Sequence, residues 1–283
     1  MATQLMGNEV NKLIQSEVLQ RSNVLISKGI VPTLGIIRVG EKSDDIQYER
    51  SIERCFSKLN ISISKIALPE NVTQTDLLDS IQRMNDEPKI HGILLFRPLP
   101  KHLVNDIIVN SVAPQKDIDG MSDASLMGIL LNKKQGFAPC TAEACLEIID
   151  YYGIDIAGKN VVVIGRSNVI GKPVSLLLLN RNATVTMCHS KTENLPAVCK
   201  RADILVCATG RAKMVNSEFV REGQCVIDVG IFVMPDGTVC GDVDFDSVNP
   251  IVDSITPVPR GVGSVTTASL ARHLICAAEN CNG

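Results

Sequence analysis

Hydrophobic and polar positions in the first 112 residues follow two periods. Apolar residues recur every three or four positions over 8–28, which predicts an amphipathic helix, whereas Thr33–Val39 and Ser62–Leu68 are short apolar runs typical of buried strands. The same patterns predict helices at Asp44–Leu59, Thr75–Asn85 and His102–Val112, and a strand at His91–Phe96. Strands that alternate with helices indicate a parallel sheet, because parallel neighbours need a crossover connection.

The pattern weakens between residues 113 and 140, where turn-forming residues such as Pro114, Gly120 and Gly136 collect. We interpret this stretch as the junction of two domains. Beyond it the alternation resumes, with helices at Thr141–Tyr152, Gly171–Leu179 and Thr266–Glu279 and strands at Val161–Gly165, Thr184–Cys188, Asp203–Ala208 and Cys225–Val229. The predicted fold class is α/β, with two domains that are each a parallel-sheet unit, the second Rossmann-like.

Composition narrows the function classes. The 283 residues are 45% hydrophobic and 21% charged, which is usual for a globular chain. A net charge of -3 and only 3% aromatic residues argue against a nucleic-acid partner. No apolar stretch is long enough for a membrane helix, and Met1–Gln4 does not resemble a secretory signal. We therefore expect a cytoplasmic protein without a membrane partner.

The ten cysteines form no Cys-x-x-Cys pair, and the four histidines are not clustered. Several cysteines lie inside apolar runs, as Cys207 does in the run 204–208. This distribution is typical of reduced, buried cysteines in a cytosolic protein. We expect neither a disulfide framework nor a metal site.

A glycine-containing turn follows the strand at 161–165. It reads Gly165-Arg166-Ser167 and, after three residues, Gly171 opens a helix. A strand that enters a helix through such a turn directs backbone N–H groups and the positive helix end toward a phosphate. The spacing differs from the usual Gly-x-Gly-x-x-Gly, so an ordinary strand–helix turn is the alternative interpretation.

The end of the next strand favours NADP over NAD. NAD sites usually place an acidic residue there for the ribose hydroxyls, whereas this chain has His189-Ser190-Lys191-Thr192. Arg166 supplies a forked cation that suits a 2′-phosphate. Solvated surface charge is the alternative role of Arg166 and Lys191, and NAD stays possible.

Motifs in order along nearly the whole chain resemble those of the methylenetetrahydrofolate dehydrogenase/cyclohydrolase (FolD) family. The matching stretches are 91–95 with 98–102, 116–120, 139–141, 165–167 with 171–173, 188–192, 226–230, 241–245 and 255–259. The resemblance implies a folate-binding catalytic domain at 1–120, completed by a C-terminal helix at 264–283, and an NADP-binding domain at 140–258, with the active cleft between them. It also implies a homodimer that pairs through the cofactor domain.

The resemblance implies tetrahydrofolate derivatives as ligands. Most members oxidise 5,10-methylenetetrahydrofolate to the methenyl form with NADP and then hydrolyse that to 10-formyltetrahydrofolate. Tyr48 would orient the pterin or aminobenzoate ring, Asp119 would bond the pterin amino group and ring nitrogen, and Pro257 and Gly261 would shape the folate loop. Packing is the alternative role of Tyr48, and turn formation that of Asp119. The implied cofactor-binding residues are Gly165, Arg166, Ser167, Gly171, Ser190 and Ile231.

Three substrate-side positions depart from the family pattern. Ile52 occupies the lysine position of a Tyr-x-x-x-Lys pair that starts at Tyr48 and lies on one helix face. Phe96, followed by Arg97, stands where the family has glutamine, and Arg260 replaces a glycine of the folate loop. We keep Ile52 among the catalytic positions and Phe96 and Arg260 among the substrate-binding ones.

The isoleucine predicts a separation of the two activities. Hydride transfer needs alignment of substrate and cofactor, but hydrolysis needs proton transfers, and the family lysine is tied to that work. Since the Ile52 side chain cannot transfer a proton, we expect NADP-dependent oxidation with weak or absent cyclohydrolase activity. The alternatives are a fully bifunctional enzyme that uses another cation, such as Arg97 or Arg260, and a non-catalytic relative that binds the dinucleotide.

Overall fold

The structure is a computed structural model that describes residues 1–133 and 135–281. Its strands are β1 Thr3–Gln4, β2 Thr33–Val39, β3 Ser62–Leu68, β4 Gly92–Leu95, β5 Asn160–Ile164, β6 Thr184–Cys188, β7 Ile204–Cys207, β8 Cys225–Asp228, β9 Phe232–Val233, β10 Val239–Cys240 and β11 Ser254–Ile255. Its α-helices are α1 Gly7–Ser27, α2 Ser43–Lys58, α3 Gln74–Asp86, α4 Asn105–Asn110, α5 Asp123–Leu130, α6 Cys140–Tyr151, α7 Gly171–Asn180, α8 Leu195–Cys199, α9 Phe245–Val248 and α10 Thr266–Asn280. Short 3₁₀ turns lie at Ser217–Phe219 and Val262–Ser264.

The chain divides into two compact units. The three-stranded unit contains Leu13–Ala138 and Thr267–Gly283, and the six-stranded unit contains Met1–Lys12 and Pro139–Thr266. The division differs from the predicted boundary at the N-terminus, because β1 pairs in parallel with β11 and so joins the larger sheet. Pairing between two-residue strands so distant in sequence leaves no periodic pattern that could have predicted it.

The three-stranded unit contains a parallel sheet in the order β3-β2-β4. Ile36 of β2 lies opposite Lys65 of β3 on one side and Leu94 of β4 on the other. Helix α3 covers the sheet with its apolar face and begins at Thr73, whose side chain accepts a hydrogen bond from the Asp76 amide at 3.1 Å. The buried core includes Ile37, Leu77, Ile81, Ile93 and Ile108.

The six-stranded unit contains a second parallel sheet, in the order β1-β11-β8-β7-β5-β6. Ile164, the last residue of β5, lies opposite Cys188 of β6 and Cys207 of β7, so these three strands end at one level. From β5 the chain continues to β6 on one side, and after β6 it crosses to β7 on the other side of β5. Ligands of doubly wound sheets bind outside the strand ends at the place where the strand order reverses in this way. The predicted α/β class with two parallel-sheet units is confirmed.

Two elements differ from the sequence-based expectations. The helix predicted at His102–Val112 is restricted to α4, because Val104 has an extended backbone and the preceding residues form a turn. Helix α5 lies inside the stretch interpreted as a junction. Ser122 caps it by accepting a hydrogen bond from the Ser125 amide at 3.2 Å, a signal that the neighbouring turn residues had obscured.

All ten cysteines are free thiols, and six of them are buried. Burial raises the pKa of Cys145 to about 12, so that this thiol is neutral at physiological pH. Within residues 1–133 and 135–281, no three His, Cys, Asp or Glu side chains form a group that could hold a metal ion. The helices described are all too short or too polar to cross a membrane.

Candidate active site

The turn after β5 is shaped by two glycines that have no room for a side chain. Gly165 has a φ of +132°, and a Cβ on it would lie 2.2 Å from the Ala208 carbonyl oxygen. A Cβ on Gly171 would lie 2.3 Å from the Gly165 carbonyl oxygen. The strand end, the turn and the start of α7 are therefore in direct backbone contact, which allows a ligand to approach the main chain closely.

Side chains of this turn complete a site that fits a phosphate. The Ser167 hydroxyl accepts hydrogen bonds from the amides of Ile170 at 3.1 Å and Gly171 at 3.4 Å, and so caps α7. Arg166 and Ser167 are themselves exposed to solvent. An exposed guanidinium and hydroxyl at the positive end of a ten-residue helix suit a dinucleotide phosphate.

The end of β6 lies beside this turn, since the Gly165 amide donates to the Cys188 carbonyl at 2.9 Å. The next residues form a tight turn in which the His189 amide bonds the Thr192 hydroxyl at 2.9 Å and the Lys191 amide bonds His189 Nδ1 at 3.1 Å. This turn leaves Ser190 and Lys191 exposed. A hydroxyl and an ammonium group in place of a carboxylate suit the 2′-phosphate of NADP.

Ile231, which belongs to the predicted cofactor set, follows β8 and is 66% exposed. The backbone that leads to Ile231 is held by the buried carboxylate of Asp228. This carboxylate accepts hydrogen bonds from the amides of Gly230, Asp242 and Val243 at 2.9–3.0 Å. Burial raises the pKa of Asp228 to about 7, although these three backbone N–H groups pull it down. Asp228 thus holds the backbone on which Ile231 stands.

A second buried carboxylate, Asp242, holds the loop that follows β7. It accepts hydrogen bonds from the Thr209 amide at 2.8 Å, the Thr209 hydroxyl at 2.7 Å and the Arg211 amide at 2.9 Å. Sequence reasoning did not single out Asp242 or Asp228 as site residues. The two aspartates lie in motifs that match the family, Ile227-Asp228-Val229-Gly230 and Gly241-Asp242-Val243. These motifs were the available signal, but the loops that the carboxylates bind are distant in sequence, so their role could not be inferred.

The predicted folate loop lies in the six-stranded unit. Arg260 has a φ of +84°, a conformation that favours glycine, and its carbonyl accepts a hydrogen bond from the Gly7 amide at 2.8 Å. A Cβ on Gly261 would lie 2.4 Å from the Pro257 carbonyl oxygen. Pro257 also lines a pocket of about 290 Å³ together with Asp228. The loop therefore keeps a compact backbone despite the arginine.

Two predicted substrate residues meet in the three-stranded unit. The rings of Tyr48 and Phe96 are tilted by 37°, with their centroids 5.5 Å apart. Tyr48 is 44% exposed, whereas Phe96 is buried and its amide donates to the Ile37 carbonyl at 2.9 Å. Phe96 thus packs against the tyrosine ring, and its side chain has no polar group.

Ile52 has no exposed surface and lies with Phe56 on the buried face of α2. The prediction that Tyr48 and Ile52 share one face holds for their spacing, one turn apart, but not for their surroundings. Tyr48 lies near the start of the helix and contacts solvent, whereas Ile52 belongs to the core. The position of the family lysine is therefore filled by packed hydrocarbon.

Asp119 is held on a rigid turn. The buried Lys116 ammonium donates to the carbonyls of Met84, Asn85 and Glu87 at 2.7–3.0 Å and so caps the end of α3. Burial lowers the pKa of Lys116. This anchor lies three residues before Asp119, on the N-terminal side of the turn.

The other side of the turn is fixed by Asp117, a residue with a structural role. Its carboxylate accepts hydrogen bonds from the amides of Met121 and Ser122 at 3.1 and 2.8 Å and from the Ser125 hydroxyl at 2.7 Å. The buried His273 ring of α10 contacts the Ile118 carbonyl at 2.8 Å. The carboxylate of Asp119, by contrast, is partly exposed and lies 3.6 Å from Arg97 Nη2.

Two of the cations on and near α2 are paired with an acidic residue, and two others are exposed. Arg38 and Lys65 both bond Glu49, at 2.9 and 3.0 Å. Burial raises the pKa of Glu49, but the hydrogen bonds from Arg38 and Lys65 outweigh it and lower the pKa overall. Arg50 and Arg54 are exposed and border a surface hollow with Glu53.

Two sequence profiles of known proteins together match most of the chain. The sequence profile described as tetrahydrofolate dehydrogenase/cyclohydrolase, catalytic domain, matches residues 5–119. The profile described as tetrahydrofolate dehydrogenase/cyclohydrolase, NAD(P)-binding domain, matches residues 139–282. The two matches fall on the part of the chain with Tyr48 and Asp119 and on the part with the glycine turn, respectively.

Relatives match over nearly their whole length. The bifunctional protein FolD of Clostridium botulinum strain 657 is 50% identical over 279 residues, which cover 99% of each chain. The bifunctional FolD methylenetetrahydrofolate dehydrogenase/cyclohydrolase of Campylobacter jejuni superposes with a TM-score of 0.97 at 37% identity, covering 99% of each chain. FolD of Trypanosoma brucei, solved with NADP and an inhibitor, gives 0.92 at 33% identity, covering 99% of this chain and 98% of that one.

Proposed function

We propose that the two activities expected of this chain are unequal. The chain belongs to the tetrahydrofolate dehydrogenase/cyclohydrolase family, and this membership is the reason that both activities are expected. It is a methylenetetrahydrofolate dehydrogenase that uses NADP. The cyclohydrolase step, which would convert the methenyl product to 10-formyltetrahydrofolate, is weak or absent. The observation that carries this proposal is the complete burial of Ile52 among apolar side chains.

Oxidation needs binding and alignment more than proton transfer. When bound, NADP would supply the acceptor for the hydride. Arg166, Ser167 and Ser190 hold the cofactor phosphates, while Tyr48 and Asp119 orient the pterin end of the folate. The substrate's own nitrogens stabilise the cation that forms as the hydride leaves, so no protein base is required at that moment. The protein contributes by holding the folate and the cofactor close together in the aligned geometry.

Hydrolysis of the methenyl product makes a different demand. A water molecule must lose a proton as it attacks, and a ring nitrogen must gain one. Ile52 offers hydrocarbon where the family has an amine, and Phe96 offers a ring where the family has an amide. Because general acid–base catalysis is worth roughly 10²–10⁴ in rate, its loss leaves a rate close to that in buffer.

The two arginines considered as substitutes do not repair this deficit. An arginine side chain carries N–H donors and no acceptor, so that Arg97 and Arg260 supply charge and hydrogen-bond donors but no general base. Arg97 is also paired with Asp119 at 3.6 Å. Arg260 has a backbone with positive φ, a conformation that favours glycine.

A fully bifunctional enzyme is the second candidate. It is favoured by one observation, the name "bifunctional protein FolD" carried by relatives that are 50% identical over nearly the whole chain. Under this hypothesis another group would handle the proton, and hydrolysis would keep pace with oxidation.

Coupled assays on the purified chain separate the two candidates. Oxidation of methylenetetrahydrofolate is followed by the formation of NADPH, and hydrolysis is followed by the loss of methenyltetrahydrofolate absorbance in excess of the rate in buffer. We expect robust oxidation with NADP and hydrolysis within about twofold of buffer. Hydrolysis at a rate comparable to oxidation would establish the bifunctional enzyme, and absence of both activities would indicate a non-catalytic relative.

A further inference from the structure

The guanidinium of Arg97 has unused donor capacity beside the predicted pterin ligand. Arginine carries five N–H donors. Within the part of the chain that the structure describes, the one polar partner of this side chain is Asp119, at 3.6 Å between Nη2 and Oδ2. That separation exceeds hydrogen-bond distance, so it leaves the N–H groups of Arg97 able to bond a ligand.

Both side chains are accessible at the same place. The side chain of Arg97 is 24% exposed and that of Asp119 is 29% exposed. They border one small cleft together with Asp117, whose carboxylate is bonded to its own turn, and with five apolar residues, Ile93, Leu95, Val109, Val112 and Met121. Apolar walls lower the local dielectric constant and strengthen hydrogen bonds to charged groups.

The supports of the pair are rigid. Arg97 lies two residues beyond β4, and Phe96, the residue between, is buried and bonded to Ile37. Asp119 lies on the turn fixed by Lys116 and Asp117. A donor and an acceptor are therefore presented side by side with little freedom to move, which is what recognition of a planar heterocycle requires.

A pterin edge offers a matching pattern. The 2-amino group and N3–H are donors, and the neighbouring 4-oxo group is an acceptor. A carboxylate accepts from the first two and cannot bond the third. A guanidinium beside the carboxylate donates to that oxygen, so the two side chains together complement the whole edge.

We propose that Arg97 is a specificity-determining residue that donates to the 4-oxo group of the pterin, while Asp119 accepts from the 2-amino group and N3–H. The inference rests on the proposed function, since it assumes a folate in this unit. In this assignment Arg97 recognises the edge of the pterin ring, and it does not replace the family lysine in hydrolysis.

Calorimetric titration with two ligands tests the assignment. The probes are tetrahydrofolate and its 4-amino-4-deoxy analogue, in which the 4-oxo acceptor becomes an amino donor and N3 loses its hydrogen. Because the change at N3 affects the wild-type protein and the variant alike, each ligand is compared between the two proteins. Arg97→Leu should weaken tetrahydrofolate binding by roughly 10–100-fold, the range expected for a hydrogen bond to a charged donor. Binding of the 4-amino analogue should stay within about threefold or improve, because the leucine removes a donor–donor conflict. Arg97→Lys should recover part of the tetrahydrofolate affinity.

Controls separate this role from a structural one. Arg54→Leu makes the same chemical change at an exposed residue of α2, and both affinities should stay at the wild-type values. Circular dichroism melting of each variant verifies the fold. An equal loss for both ligands in Arg97→Leu, or no loss for either, would overturn the assignment. Failure of the wild-type protein to bind tetrahydrofolate or to oxidise its methylene form would overturn the proposed function instead.

Discussion

The glycine turn of the six-stranded unit and the substrate residues of the three-stranded unit are built on different principles. The turn is defined by backbone contacts, in which Gly165 and Gly171 leave no space for a Cβ. The substrate side is defined by side chains, and there Ile52 and Phe96 replace a lysine and a glutamine of the family pattern. A side chain can change its chemistry while the fold stays the same, whereas a change in the turn alters the fold itself.

The largest effect should come from adding one methyl group to the turn. Gly171→Ala places a Cβ 2.3 Å from the Gly165 carbonyl oxygen, so the strand end and the helix start must move apart. Misplacement of reacting groups by about 1 Å can cost on the order of 100-fold in rate. We expect the rate of oxidation to fall by at least that factor and NADP affinity, measured by calorimetry, to fall with it.

A matched glycine variant controls for backbone strain. Gly158 has a φ of +75° but open space around its Cβ position, so that Gly158→Ala introduces strain without a clash. It should lower stability by about 1 kcal/mol and leave NADP affinity within twofold. Equal losses in Gly158→Ala and Gly171→Ala would mean that close packing at the turn does not define the cofactor site.

This contrast explains why the cofactor side could be predicted from the sequence. A strand, a glycine-containing turn and a helix are consecutive, and each leaves its own periodic or compositional signal. The strand at 161–165, the helix at 171–179 and the strand at 184–188 were all predicted to within one residue of β5, α7 and β6. The predicted use of NADP follows from residues 189–192, which come directly after one of these elements.

The substrate side depends on contacts that sequence periodicity does not encode. The side chains of Arg97 and Asp119 come from separate loops, and the tilted ring contact between Tyr48 and Phe96 joins a helix to a strand end. The motifs identified the positions, but the burial of Ile52 and the proximity of Arg97 to Asp119 became visible only in three dimensions. The expected homodimer stays a prediction, since it concerns a second chain.

A double variant should partly restore chemistry on the substrate side. Ile52→Lys combined with Phe96→Gln returns an amine and an amide to the family positions. Burial lowers the pKa of a lysine, which makes the neutral base available near physiological pH. We expect hydrolysis of methenyltetrahydrofolate to rise at least about tenfold, with oxidation changed less, as measured by the coupled assays.

Ile52→Met combined with Phe96→Leu is the matched apolar control, because it alters packing without adding a polar group. Its hydrolysis should stay at the rate in buffer. If the Lys/Gln variant is folded by circular dichroism and binds folate yet hydrolyses no faster than this control, the missing amine does not explain the deficit.

The last prediction is about stability and concerns a side chain that supports the backbone-built site. Asp228 has a pKa of about 7 in the folded chain, against an ordinary value of 3.8, because burial disfavours its charge. Between these two pH values the folded chain holds a proton that the unfolded chain has lost. Rising pH therefore destabilises the fold, by up to about 1.4 kcal/mol per pH unit for one proton.

Asp228→Asn removes this titration and keeps a similar shape, so its stability should be lower at acidic pH but flatter between pH 4 and 7. Cys207 lies nearby, but burial raises its thiol pKa well above the ordinary value, so it does not titrate in that window. Because the chain has no tryptophan, urea unfolding is best followed by circular dichroism. If the two proteins show parallel stability curves, Asp228 is ionised throughout, and its three amide hydrogen bonds outweigh burial. In that case the backbone around Ile231 is held by a permanent charge, and the pH dependence of the cofactor unit must arise elsewhere.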